Sequence, residues 1–135
     1  MDITKFLHQH EEALELLDKL ESDCSKEPIN SRDLSESLVS IAAKLKFHLA
    51  MEDKFLYPKA ATSSDQDLKN LSQKMSDEMG KISIVFEAYV NRWSRIAIER
   101  EPQKFLTETA GIIDAIRKRI EREESSLYPL AEQKL

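Results

Sequence analysis

His48-Leu49-Ala50-Met51-Glu52-Asp53-Lys54-Phe55-Leu56-Tyr57-Pro58 is the stretch from which the fold can be read. A histidine and a carboxylate four positions apart lie ~40° from each other around a helix, so both face the same way. The run is amphipathic and closes on Leu-Tyr-Pro. The ending returns near the C-terminus in Arg119-Ile120-Glu121-Arg122-Glu123-Glu124-Ser125-Ser126-Leu127-Tyr128-Pro129. Aligning the two endings puts Glu123 on Glu52 and Arg119 on His48. The second copy keeps its carboxylate and has exchanged its histidine for an arginine.

The rest of the chain fits long helices. Two glycines and four prolines in 135 residues leave little turn chemistry for a sheet protein. The length predicts one domain over 1–135, large enough for a real core. A net charge of −5 gives no electrostatic reason to expect nucleic acid or an anionic membrane as partner. The basic cluster Arg117-Lys118-Arg119 is answered by Glu121, Glu123 and Glu124 within one or two turns. No apolar run reaches spanning length, and no signal-peptide pattern follows Asp2, so a cytoplasmic location is expected. Cys24 stands alone, which excludes an internal disulfide and a thiolate metal cluster.

Helix 1 is predicted from Asp2, as N-cap, to about Asp23. Its stripe of Ile3, Phe6, Leu7, Ala13, Leu14, Leu17 and Leu20 carries His10 inward, and His8 points to water. Helix 2 follows an Asn30 or Ser31 cap and aligns Leu34, Leu38, Ile41, Leu45, His48, Glu52 and Leu56, with Pro58 ending or kinking it. Helix 3 runs as one piece from Leu68 through Met75, Met79, Ile82 and Phe86 to Trp93. Helix 4 starts at Pro102 and presents Leu106, Ile112, Ile116, Arg119, Glu123 and Leu127. Gly80 and Gly111 interrupt helices 3 and 4, and close helix packing is the reason to test. The expected architecture is an all-α, up-down-up-down antiparallel four-helix bundle. Sliding helix 1 along helix 3 sets His10 on Met79, Ala13 on Ile82 and Leu17 on Phe86. The bundle is therefore read as a duplicated helix pair with its half-sites face to face.

One half contributes His10, His48 and Glu52. The other contributes Met79, Arg119 and Glu123 at the matching positions. Imidazole and carboxylate suit iron, manganese or zinc. Buried glutamates need a counter-charge, either a metal cation or Arg119, because an unpaired charge in a core costs several kcal/mol. Met75 and Met79, at i,i+4, could hold a soft ion such as Cu(I), but fill core space more readily. Tyr57 and Tyr128 are expected to close the bundle end with wet hydroxyls. The spacing is not the Glu-x-x-His of ferritin-like di-iron bundles. No phosphate loop or nucleophile pattern is present, so no catalytic residue and no organic cofactor is expected.

His10 ahead of an apolar helix, His48-x-x-x-Glu52 with Leu-Tyr-Pro, and two further amphipathic helices resemble the hemerythrin-like, HHE-type domain family over nearly the whole chain. The resemblance implies a four-helix bundle holding two irons bridged by carboxylates. It places metal ligands at His10, His48, Glu52 and Glu123. It also marks Met75, Met79 and Arg119 as altered ligand positions, so every histidine serving one of the two irons is missing. The implied function is binding of at most one metal ion, with iron favoured over manganese or zinc. The alternative is a metal-free bundle, neutralised by Arg119, acting as a structural or partner-binding module. Reversible dioxygen carriage fits less well, because two-electron reduction of dioxygen draws on two irons. No protein partner can be read from the sequence.

Overall fold

A computed structural model describes all residues, 1–135. It contains helices and no strands. Helix α1 spans Thr4–Cys24, with the Asp2 carboxylate accepting from the Thr4 amide at 2.9 Å ahead of its first turn. Helix α2 spans Ser31–Met51, and the Asn30 side chain caps the amides of Arg32 and Asp33. Both ends of α1 and the start of α2 lie within a residue or two of their predicted positions, as amphipathic helices with polar caps should.

Pro58 does not end the second rod. After Met51 the chain widens into a π-helical turn, Glu52–Leu56, and continues as α3, Tyr57–Ala61. The Tyr57 amide reaches back five residues to the Glu52 carbonyl. A proline in an α-helix collides with the carbonyl four residues before it, and a wider turn removes that collision. The second Leu-Tyr-Pro does the same. Helix α7, Pro102–Arg122, passes through the π turn Glu123–Leu127 into α8, Tyr128–Lys134, and Tyr128 donates to the Glu123 carbonyl.

The third rod is not one helix. It is built from α4, Gln66–Met79, and α5, Ile82–Arg92, followed by a short α6, Arg95–Arg100, in a stretch to which the sequence assigns no helix. The break falls at Gly80-Lys81. A Cβ on Gly80 would lie 2.4 Å from the Ser76 carbonyl oxygen, so a side chain there requires the backbone to shift. Close packing between helices is therefore not the role of Gly80. It is not the role of Gly111 either, which faces open space.

The rods pack in a ring. Helix α1 lies between α2 and α7, and α5 closes the opposite side against the same two, while α4 covers α3 and α8. Two apolar clusters fill the interior. The larger includes Leu17, Leu38, Ile41, Leu45, Phe86, Tyr89, Trp93, Phe105 and Ile116. The smaller gathers Ile3, Leu56, Leu68, Met75, Leu127 and Tyr128 at the other end. Burying each Leu, Ile or Phe stabilises the fold by roughly 1.5–3 kcal/mol. Along α1, α2, α7 and the two π turns, the residues between the two clusters are His10, His48, Glu52, Arg119 and Glu123, and all five are buried.

Candidate metal centre

The five buried polar residues meet in one place. His10, Glu52 and Glu123 are fully enclosed, and His48 is 3% exposed. His8 is exposed and pairs with Glu12 on the surface, as the phase of helix 1 requires. One potential ligand atom from each of His10, His48, Glu52 and Glu123 falls within 4.8 Å of all the others, close enough for the four to hold a metal ion.

Both imidazoles are turned the same way. His10 donates from Nδ1 to Glu124 Oε2 at 2.8 Å, and His48 donates from Nδ1 to Gln9 Oε1 at 2.5 Å. These oxygens have no hydrogen to give, so Nδ1 carries the proton in each ring. The Nε2 atoms then face the centre. His48 Nε2 approaches Glu52 Oε1 at 2.6 Å, and His10 Nε2 approaches Glu123 Oε1 at 3.2 Å. Neither His48 Nε2, Glu52 Oε1 nor Glu123 Oε1 has a hydrogen-bond partner. These three crowd their neighbours without the alignment of a hydrogen bond, as ligands do when they are aimed at a common point, while His10 Nε2 lies 3.0 Å from the Tyr128 hydroxyl. Buried unpartnered acceptors are costly, and a cation satisfies all of them together. Two imidazole nitrogens and two carboxylate oxygens fit iron, manganese or zinc.

The tyrosines are not wet. Tyr128 donates its hydroxyl to Glu52 Oε2 at 2.6 Å, and Tyr57 donates to Glu123 Oε2 at 2.9 Å. Each half's tyrosine holds the other half's carboxylate. The π turns bring this about. In an α-helix Tyr57 would sit ~140° around from Glu52, whereas the five-residue step returns it toward the same face. An α-helical period applied to the sequence cannot place it there. Burial, followed by the charge of Glu123, holds both phenols protonated well above their usual range; Glu52 adds to this, and at Tyr57 the Arg119 charge works against it.

Arg119 is buried as expected, but it does not bridge Glu52 and Glu123. Its Nε donates to Glu123 Oε2 at 3.2 Å and its Nη2 to Asp53 Oδ1 at 2.7 Å, and the guanidinium lies over the Tyr57 ring at 5.2 Å. Asp53, also bonded by Ser83, was missed because a strict α period turns it away from Glu52. The repeat contained the signal: aligning the Leu-Tyr-Pro endings sets Asp53 on Glu124, the acceptor of His10. Met75 is fully buried in the smaller cluster, where it packs as filler, and Met79 is half-buried beside it.

Three carboxylates, Glu52, Glu123 and Asp53, against one guanidinium leave two negative charges when the imidazoles are neutral. Protons redress this in the bare site. Burial works against a charge on His10, but the adjoining carboxylates of Glu123 and Glu52 outweigh it and push the imidazole up to about 10. Burial also drives the Glu123 carboxyl up, with the charge of Glu52 adding to it. Glu52 goes the other way: burial opposes its charge, yet the adjoining imidazoles of His10 and His48 hold it well below the carboxylate range. For Arg119, burial is overcome by the charges of Glu123 and Glu52, so it stays protonated.

A family model, the hemerythrin HHE cation binding domain, matches residues 1–131. No curated protein and no solved structure matches the chain.

Proposed function

The chain belongs to the hemerythrin HHE cation-binding family, and from that premise we propose that it binds one metal ion, with iron favoured over manganese or zinc. The ligands are His10 and His48 through Nε2, together with Glu52 and Glu123. The observation that carries this reading is the set of buried, unpartnered atoms His48 Nε2, Glu52 Oε1 and Glu123 Oε1, converging with His10 within 4.8 Å. A divalent ion also balances the two surplus negative charges, which the proton on His10 otherwise offsets in part. Such an ion supplies a fixed positive charge and, as iron, a one-electron couple.

The residues of the chain prepare the position. Gln9 and Glu124 fix the tautomers, and outer partners of this kind commonly change metal affinity ~10–100-fold when removed. Tyr57 and Tyr128 each occupy one oxygen of a glutamate, leaving the other oxygen for the ion. Arg119 stands where the repeat would supply a histidine to a second ion. Its charge repels another cation at close range in a core of low dielectric. Met75 and Met79 offer no hard or borderline donor there.

Elemental analysis after anaerobic reconstitution with ferrous iron, with a visible spectrum, tests the proposal. One ion per chain without oxo-bridged di-iron absorption is the expected result. Two tightly held irons refute the half-site. No metal under any loading condition leaves the second reading, a metal-free module, which the ion pairs of Arg119 with Glu123 and Asp53 favour.

A further inference from the structure

We propose that the groove between α1 and α2 is the path by which the ion reaches and leaves the centre, and that Gln9 is the positioning residue that closes its inner end. This rests on the metal-centre reading above.

The candidate ligands are sealed unequally. His10, Glu52 and Glu123 contribute no exposed surface, while His48 is 3% exposed. A cavity of about 230 Å³ lies in the α1–α2 groove, walled by Gln9, Ala13, Ala43, Phe47 and His48. It is the one principal cavity with a candidate ligand in its wall. The small side chains of Ala13 and Ala43 leave it open, and Phe47, 59% exposed, stands in its wall. Glu12 and Lys44, paired at 3.7 Å, also line it, so one acidic and one basic group stand along the way and offset each other.

The competing groove stops short of the candidate ligands. The groove between α1 and α7, about 390 Å³, reaches Glu124 but no candidate ligand. Arg117 stands in its wall, tied to Asp18 and Glu21.

The ligands differ in how firmly they are held. His10 is bonded at Nδ1 by a carboxylate and stacked on Tyr128 with ring centroids 5.1 Å apart. His48 is bonded at Nδ1 by a neutral amide. Charge-assisted hydrogen bonds are roughly twice as strong as neutral ones. Swinging out His48 therefore takes less than swinging out His10, and His48 is the ligand facing the groove. Gln9 decides how often it swings.

Exchange kinetics separate this role from a structural one. A plug in a path slows entry and exit by the same factor and leaves the equilibrium untouched. Ala43→Trp should slow both ferrous loading and removal by excess chelator by roughly tenfold, with the dissociation constant unchanged. Phe47→Ala should quicken both. Gln9→Ala should weaken binding ~10–100-fold, mainly through faster loss, and Gln9→Glu should slow loss. In the metal-free chain, nitrogen NMR of the His48 ring should show the Nδ1–H tautomer in the wild type and a mixture in Gln9→Ala. Helical circular dichroism confirms that each variant is folded, and Phe47→Ala carries the kinetic test should Ala43→Trp not fold. A wild type that binds one ion, with rates unmoved by both groove variants, overturns the path. Unchanged affinity and tautomer in Gln9→Ala overturn the role of Gln9. A wild type that takes up no ion refutes the metal centre itself, and the path with it.

Discussion

Replacing Arg119 with alanine tests how the second half-site is neutralised. The guanidinium is 1% exposed and holds two carboxylates, Glu123 at 3.2 Å and Asp53 at 2.7 Å. Glu123 is as buried as the arginine, whereas Asp53 is 23% exposed and can turn to water. The cost is therefore concentrated on Glu123. Removing one partner of a buried pair destabilises by about 3–5 kcal/mol. Against a total stability of about 5–15 kcal/mol this is a large share. With a urea dependence near 2 kcal/mol per molar, the unfolding midpoint should fall by roughly 2 M. The deficit should depend on pH. Burial and the charge of Glu52 already push the Glu123 carboxyl up to about 8, and losing Arg119 pushes it further. Near pH 5 the carboxyl is protonated with or without the arginine, so the two chains should lie closest. Near pH 9 it is ionised in the wild type and uncompensated in the variant, so the gap should be widest. Urea titrations of metal-free protein at both pH values measure this. A midpoint shift within experimental noise at pH 9 would falsify the assignment of Arg119 as the counter-charge.

Four further outcomes follow from the same geometry. The metal-free chain should lose stability as pH rises from about 6.5 to about 10, because the folded state holds the His10 proton more tightly than the unfolded chain does. With an ion bound, His10 is already deprotonated and that loss should vanish, so identical thermal profiles with and without metal would count against His10 as a ligand. Tyr128→Phe leaves Glu52 one donor short in a sealed site and should cost about 1.5–3 kcal/mol in chemical denaturation. Met79→His with Arg119→His should raise iron capacity toward two per chain by elemental analysis; an unchanged capacity would show that more than two side chains closed the second site. His8→Ala should alter neither stability nor metal content, since His8 is exposed.

The bundle was legible because burial imposes a period on sequence. His10, His48, Glu52, Arg119 and Glu123 all fell inward on an α-helical count, and all are buried. That count failed where the backbone leaves the α period. The π turns at Glu52–Leu56 and Glu123–Leu127 carried Tyr57, Tyr128 and Asp53 to places that a step of 3.6 residues does not predict. The break in the third rod escaped for a different reason. Apolar residues keep their phase across Gly80, so periodicity does not mark the break, and the room that only glycine leaves beside the Ser76 carbonyl is visible only in the structure. Gln9 and Glu124 were hidden because an outer partner is defined by its neighbour across the bundle and not by its own helix.

The exchange of tyrosines between the halves makes the centre a clasp. Glu52 is fastened by a residue of the last helix and Glu123 by a residue of the second rod. Neither hairpin carries a finished set of contacts, and neither can be loosened alone. If the last helix peels away, Tyr128 releases Glu52 on the far side of the bundle; if the second rod bends open at its wide turn, Glu123 goes free. Disturbance at one end is thus passed to both carboxylates, and the two copies of a repeated motif behave as one mechanical unit.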